Sequence, residues 1–150
     1  MSRRTDVIEV IARGFLMDQS HRVLLCRNVK NGYRFLPGGH VEPGESAARA
    51  LQREFKEECG LRVRVLEALL CHEQRFDDGK KNRHEFNVVF HVEQAGRGSL
   101  AELKSREAKI AFDWIPRSGL VRSRLLPRAL IPTLRAWMAS PPEGVRWLST

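Results

Sequence analysis

The sequence predicts an α/β (α+β) fold, a sandwich on a mixed sheet rather than a doubly wound βαβ repeat. Three observations predict it. Apolar, β-rich runs stand on both sides of a single strongly marked helical segment. Two of the later runs are long and separated by a short polar tip, so they read as partners of each other. Only one further helical pattern follows, near the end of the chain. At 150 residues the chain is expected to form one domain, 1–150, burying roughly 70% of its unfolded surface.

Taken in order, "DVIEVIARGFLMD" (6–18) reads as a first strand, and "RVLLCRN" (22–28) as its hairpin partner after a turn near Asp18–His21. "YRFLPGG" is a short extended piece ended by Pro37, Gly38 and Gly39. Glu42 to Glu45, "EPGE", puts Pro43 and Gly44 in the positions a type II turn prefers. From Ala47 to Cys59 the pattern is helical, with Ser46 as N-cap and Gly60 just past the end. "LRVRVLEALLCHEQRF" (61–76) is strand-like, "DDGKKN" is a loop tip, and "HEFNVVFHVE" alternates Phe86, Val88, Phe90 and Val92 on one face. A strand "KIAFDWIP" ends at Pro116. "LLPRALIPTLRAWM" is the late helix, with Pro127 or Pro132 in its first turn.

Composition excludes several classes. With 42% hydrophobic and 29% charged residues the chain has the balance of a globular protein, and no run is long and apolar enough for a membrane span. Asp6, Glu9 and Arg13 interrupt any secretory h-region in the first fifteen residues. Cys26, Cys59 and Cys71 are odd in number and form no C-x-x-C pair, so neither a disulfide framework nor a zinc knuckle is indicated, and a reducing cytoplasm is the expected compartment. His40, His72, His84 and His91 likewise lack the short spacing of a zinc site. Net charge is +8, while residues 38–61 carry five acids against three bases, so the remainder is more basic still. Arg117, Arg122, Arg124, Arg128, Arg135 and Arg146 crowd the tail. Such a field favours an anionic partner without naming one, and arginines without interleaved aromatics are not a nucleic-acid motif.

The helix end "REFKEECG" is the most informative stretch. Glu54, Glu57 and Glu58 fall within one turn. Like charges at this spacing repel by roughly 0.2–0.5 kcal/mol a pair. Facing the negative end of the helix dipole costs roughly 0.3–1 kcal/mol more for each acid. At about 100° per residue the acids form one patch at the edge of the apolar stripe of Ala48, Leu51, Phe55 and Cys59. A hard divalent cation reverses the sign of this argument, because Mg²⁺ takes a few carboxylates together with waters and substrate phosphates. Gly38-Gly39 and the Pro43-Gly44 turn let the chain fold back and bring Glu42 and Glu45 to the same region. Arg53 stands where it can pair with one of these acids.

The stretch "GHVEPGESAARALQREFKEECGL", Gly39 to Leu61, resembles the signature of the Nudix hydrolases. In that signature, G-x5-E-x7-R-E-U-x-E-E-x-G-U, U is a bulky apolar residue. Gly39, Glu45, Arg53, Glu54, Glu57, Glu58, Gly60 and Leu61 match, and Phe55 stands where the family usually has an aliphatic residue. The resemblance implies a Nudix-type α/β/α sandwich with a central mixed sheet. It also implies hydrolysis of a nucleoside diphosphate linked to another moiety, with Mg²⁺ (or Mn²⁺) held by Glu54, Glu57 and Glu58 and a backbone carbonyl at Gly39 or Gly38. Arg53 and Glu45 would orient the ligand set. Glu57 is the first candidate for catalytic base and Glu107 the best outside the box, with Glu73 and Glu85 as weaker options. Arg34 and Arg27 are candidate phosphate contacts, Gly38 and His84 (with Glu85) candidate substrate contacts, and Phe76 a candidate base-stacking residue.

Substrate markers are absent: between Leu61 and Pro116 there is neither proline nor tyrosine. The expectation is therefore broad, a nucleotide sugar such as ADP-ribose or a modified nucleoside triphosphate. Two alternatives stay open, an RNA 5′-pyrophosphohydrolase and a non-catalytic nucleotide-binding module. A small nucleotide is the expected partner, nucleic acid the less favoured one and a membrane none; a homodimer is left open.

Overall fold

The computed structural model describes residues 7–140 and 142–150. Eight strands and two helices follow in the order β1 (Ile8–Phe15), β2 (Arg22–Asn28), β3 (Arg34–Phe35), β4 (Gly38–His40), α1 (Ala47–Cys59), β5 (Val63–Asp77), β6 (Asn82–Gln94), β7 (Ile110–Pro116), α2 (Leu130–Ala139) and β8 (Arg146–Ser149). They build a five-stranded mixed sheet, β4-β1-β6-β5-β8, and a three-stranded sheet, β3-β2-β7. Among the described residues no helix is long and apolar enough to cross a membrane.

The expected hairpin of the first two strands is confined to its turn. Asp6, at the start of the expected first strand, lies outside the described residues. Leu24 N–H donates to Leu16 O at 2.9 Å and Met17 bridges Val23, and there the pairing stops. β1 instead runs between β4, antiparallel, and β6, parallel, over its whole length. β2 runs antiparallel between β3 and β7. The reason is burial on both faces. Val23, Leu24, Leu25 and Cys26 are all at 0% exposure, a continuous apolar run that suits the centre of its own sheet better than the edge of another.

Alternation along β1 divides the core into two layers. Ala12 and Leu16 join Leu24, Ala50, Leu51, Phe55 and Val92 beneath α1. Phe15 joins Val23, Leu25, Val89, Leu134 and Trp137 beneath α2, with the Phe15 and Trp137 rings 5.3 Å apart at 68°. The two helices therefore cover opposite faces, as the α/β/α expectation requires.

α1 begins and ends as its sequence dictates. Ser46 Oγ accepts from Arg49 N–H at 3.2 Å, and Gly60, at φ 70°, closes the helix by donating to Lys56 O at 3.0 Å. Gly44, at φ 85°, closes the turn before it. The helix face departs from expectation in one respect. Ala50 is fully buried where Ala48 is not, so the buried arc is centred on Glu58, which is only 8% exposed.

Three further differences concern the later elements. Phe86, Val88, Phe90 and Val92 do share a face, but of these only Val92 is fully buried. The opposite face, with Glu85, Asn87 and Val89, is the more deeply covered. α2 starts at Leu130 rather than near Leu125, with Pro132 in its first turn and Pro127 before it. β8, which no periodicity announces, pairs parallel with the outer edge of β5.

Candidate active site

The acidic helix and the loop before it meet through the edge of the large sheet. Gly38 pairs with Arg13 and Gly39 with Ala12, so β4 lies against β1 and leads directly into the turn before α1. Gly38 sits at φ 142°, where a Cβ would collide with the Ala12 carbonyl. A Cβ on Gly39 would occupy the space of the Glu54 carboxylate. The double glycine thus lets the backbone touch a functional side chain.

Arg53 is the hub of the cradle. Its Nη2 donates to Glu45 Oε1 at 2.6 Å and to His40 O at 3.1 Å, and its Nε donates to Glu45 Oε2 at 3.1 Å. Nη1 donates to Glu54 Oε1 at 2.9 Å and to Glu57 Oε2 at 3.4 Å. Hydrogen bonding to Glu45, foremost, holds the guanidinium well above its ordinary pKa, and Arg53 in turn holds Glu45 below the usual carboxylate range. Glu42 N–H donates to Glu45 Oε1 at 2.9 Å, tying the turn to the same carboxylate.

Glu58 lies on the other side of this hub, away from Arg53. Burial pushes its carboxyl up to about 8, and the charges of Glu54 and then Glu107 add to the effect. Its Oε2 is buried without a hydrogen-bond partner. Such an atom is costly to leave unsatisfied. Arg106 N–H donates to Glu58 O at 2.7 Å, which anchors the segment carrying Glu107 over the end of α1.

The donor set fits a hard divalent cation. It is oxygen-only, partly buried, and includes one orphaned carboxylate oxygen beside a second acid. It is not a closed cage: among the described residues no three His, Cys, Asp or Glu side chains converge on one point. Glu54 and Glu57 are turned toward Arg53, and the Glu57 side chain is 56% exposed, free to change rotamer.

Beside the cradle is a cavity of about 360 Å³. Arg13, His72, Gln74, Glu85 and Asn87 give it a polar floor, and Phe35, Leu36, Leu126, Pro127 and Leu130 contribute apolar walls. Arg13 joins cavity and cradle. Its Nη1 donates to Leu36 O at 3.0 Å and its Nε to Asn87 Oδ1 at 3.2 Å. Burial lowers the Arg13 pKa, and the charges of Glu85, Glu58 and Glu54 work against that shift.

The expected site residues divide into two groups. Gly38, Gly39, Glu45, Arg53, Glu54, Glu57, Glu58 and, through its charge, Glu107 come together. Arg34 does not join them: its Nε donates to Asp113 Oδ2 at 2.8 Å, beside Arg27, and its Nη1 to Ser123 O at 2.8 Å. His84 pairs with Glu73 at 2.8 Å and lies next in sequence to Glu85, hence on the opposite face of β6 from the polar floor. Phe76 reaches the rim of the cavity. Arg13, His72, Gln74 and Asn87 were not anticipated; their one signal was polar residues two apart, His72 and Gln74 on β5 and Glu85 and Asn87 on β6, on strands that pair in register.

Comparison with known proteins agrees with this geometry. The NUDIX domain model matches residues 8–137. The chain is 36% identical over 121 residues to the 8-oxo-dGDP phosphatase NUDT18 of Homo sapiens, covering 78% of this chain and 35% of that protein. It therefore spans about a third of that relative's length. Against the CTP pyrophosphohydrolase of Escherichia coli (strain K12) it is 30% identical over 138 residues, covering 89% of this chain and 93% of that protein. A NUDIX hydrolase structure from Nitrosomonas europaea superposes with a TM-score of 0.70 at 16% identity, covering 95% of this chain and 79% of that one. With the box, the three-layer fold and a family match over most of its length, the chain belongs to the NUDIX domain family.

Proposed function

We propose that the chain is a metal-dependent pyrophosphohydrolase acting on nucleoside diphosphates linked to another moiety, a class that includes nucleotide sugars and nucleoside triphosphates. The observation that carries this reading is the buried, unpartnered Glu58 oxygen beside Glu54 and Glu107, on the helix that also presents Glu57. The two sequence relatives support the nucleotide class, since one is named for 8-oxo-dGDP and the other for CTP.

Glu54, Glu57 and Glu58, with the Gly39 backbone, would hold Mg²⁺ or Mn²⁺. When bound, the cation supplies charge neutralisation at the pyrophosphate and a more acidic water. Glu57, the most exposed of the three, takes the proton of the attacking water as general base, with Glu107 the alternative. The water oxygen bonds to phosphorus as the bridging P–O bond breaks, and the departing phosphate keeps the bridging oxygen. Arg53 orients Glu54 and leaves exposed Glu57 loosely held, and Glu45 fixes Arg53.

A panel of nucleoside diphosphate-X compounds and nucleoside triphosphates, with Mg²⁺ or Mn²⁺ and product identification, tests this reading. Release of a nucleoside monophosphate or of a phosphorylated second product supports it; no metal-dependent cleavage of any member refutes it. An RNA 5′ end as substrate would show itself by steep loss of affinity between low and moderate salt.

A further inference from the structure

The hydrolytic cradle makes no use of the polar floor of the neighbouring cavity. Three strands present that floor in register. Glu9, Ile11 and Arg13 on β1 stand opposite Glu85, Asn87 and Val89 on β6, and these stand opposite Gln74, His72 and Leu70 on β5. Its central polar groups are hidden, with Glu85 8%, Asn87 6% and His72 1% exposed.

The hydrogen bonds give this floor a definite polarity. Gln74 Nε2 and Asn87 Nδ2 both donate to Glu85 Oε2, each at 3.1 Å. Asn87 Oδ1 is taken by Arg13 Nε. Glu85 Oε1 and Gln74 Oε1 are left with no hydrogen bond from any described residue, although both residues line the cavity. His72 Nδ1 is buried in the same wall without a partner. The free carboxylate and amide oxygens of Glu85 and Gln74 are therefore acceptors that a ligand in the cavity can reach.

The geometry points to guanine recognition, with Glu85, set in place by Gln74 and Asn87, accepting from the N1–H and N2 amino donors of the base. This rests on the nucleotide reading given above. With two amide N–H donors on its Oε2, the Glu85 carboxylate presents Oε1 as an acceptor. Guanine is the common base with two adjacent donors on its pairing edge. Adenine and cytosine set a ring-nitrogen acceptor beside a single amino group, which would face the carboxylate lone pairs. Uracil has one N–H between two carbonyls. A site built to accept from a donor edge rejects a ligand lacking it, because its own buried polar atoms are then left unpaired.

Shape and position agree. A cavity of about 360 Å³ falls in the range of roughly 300–1,000 Å³ common for small-molecule sites. Phe35 and Phe76 offer aromatic surface to the base. Arg13 pairs in register with Gly38 and places a cation between cavity and cradle, on the route that the phosphates would follow.

Calorimetric titration of the whole chain with GMP, IMP and AMP tests the assignment without depending on turnover. IMP lacks only the N2 amino group, so it deletes one contact from the ligand side and needs no protein variant. GMP is expected to bind about tenfold or more tighter than AMP, with IMP between them. Glu85→Gln, which places an amide donor in the acceptor position, is expected to erase the difference. GMP binding no tighter than AMP, or a GMP preference that persists in folded Glu85→Gln, overturns the proposal. Hydrolysis of the nucleotide panel by the unaltered chain is read separately. Cleavage without guanine preference would sink the base assignment alone, and absence of any cleavage would sink the hydrolytic reading.

Discussion

Replacing Glu58 by Gln is expected to stabilise the metal-free protein, and to do so only above mildly acidic pH. In the folded chain burial pushes the Glu58 carboxyl from 4.5 up to about 8. The folded state therefore holds a proton that the unfolded state has released throughout that interval. Stability falls as pH rises from about 4.5, and the loss is complete once pH passes about 8. The full rise corresponds to at most about 5 kcal/mol, and side-chain relaxation and water penetration reduce it to about 2–3 kcal/mol. For a chain of this size that is a shift in thermal midpoint of about 5–10 °C. Glutamine keeps the shape and cannot ionise. The assay is urea denaturation in chelator at several pH values from 5 to 9. Wild type and Glu58→Gln should coincide near pH 5 and diverge progressively to pH 8, the variant being the more stable. Saturating Mg²⁺ should stabilise wild type more than the variant. Curves that stay parallel across the range would refute the claim that Glu58 is a buried, uncompensated acid.

Other perturbations separate cradle from scaffold. Arg53→Lys loses the two-pronged contact with Glu45 and the bond to Glu54, and turnover at saturating Mg²⁺ should fall about a hundredfold while circular dichroism is unchanged. Gly39→Ala places a methyl group in the space of the Glu54 carboxylate, so the Mg²⁺ concentration needed for half-maximal activity should rise by about tenfold or more, measured by metal titration of the rate. Phe55→Ala empties a site that is 1% exposed over Gly14, and urea denaturation should show a loss of about 3–5 kcal/mol.

The cradle was legible in the sequence because its logic is local. Caps, turn and acids lie within one segment, and the repulsion among Glu54, Glu57 and Glu58 poses its own question. The depth of Glu58 was less legible, since a helical wheel gives an azimuth but not which neighbours cover it. Sheet membership of the first two strands was misread because a tight turn between apolar runs is the hairpin signal, and pairing with distant β6 and β7 leaves no local trace. The cavity floor was missed for a related reason. On β6 the Phe and Val residues advertise a core face, and the opposite face, read alone, looks solvated. Only pairing with β1 and β5 shows that Arg13, Asn87, Glu85, His72 and Gln74 line one cavity. β8 is four residues long, too short for periodicity to announce.

In the function proposed above, the acids at the end of α1 hold the cation that phosphoanhydride hydrolysis needs. The most direct measurement is turnover of a cleaved nucleotide by wild type and Glu57→Gln, with Mg²⁺ and with chelator, on proteins of matched circular dichroism. Wild-type cleavage should vanish in chelator and fall by orders of magnitude in the variant. Near-normal Mg²⁺-dependent turnover in Glu57→Gln, or wild-type cleavage undiminished by chelator, would contradict it.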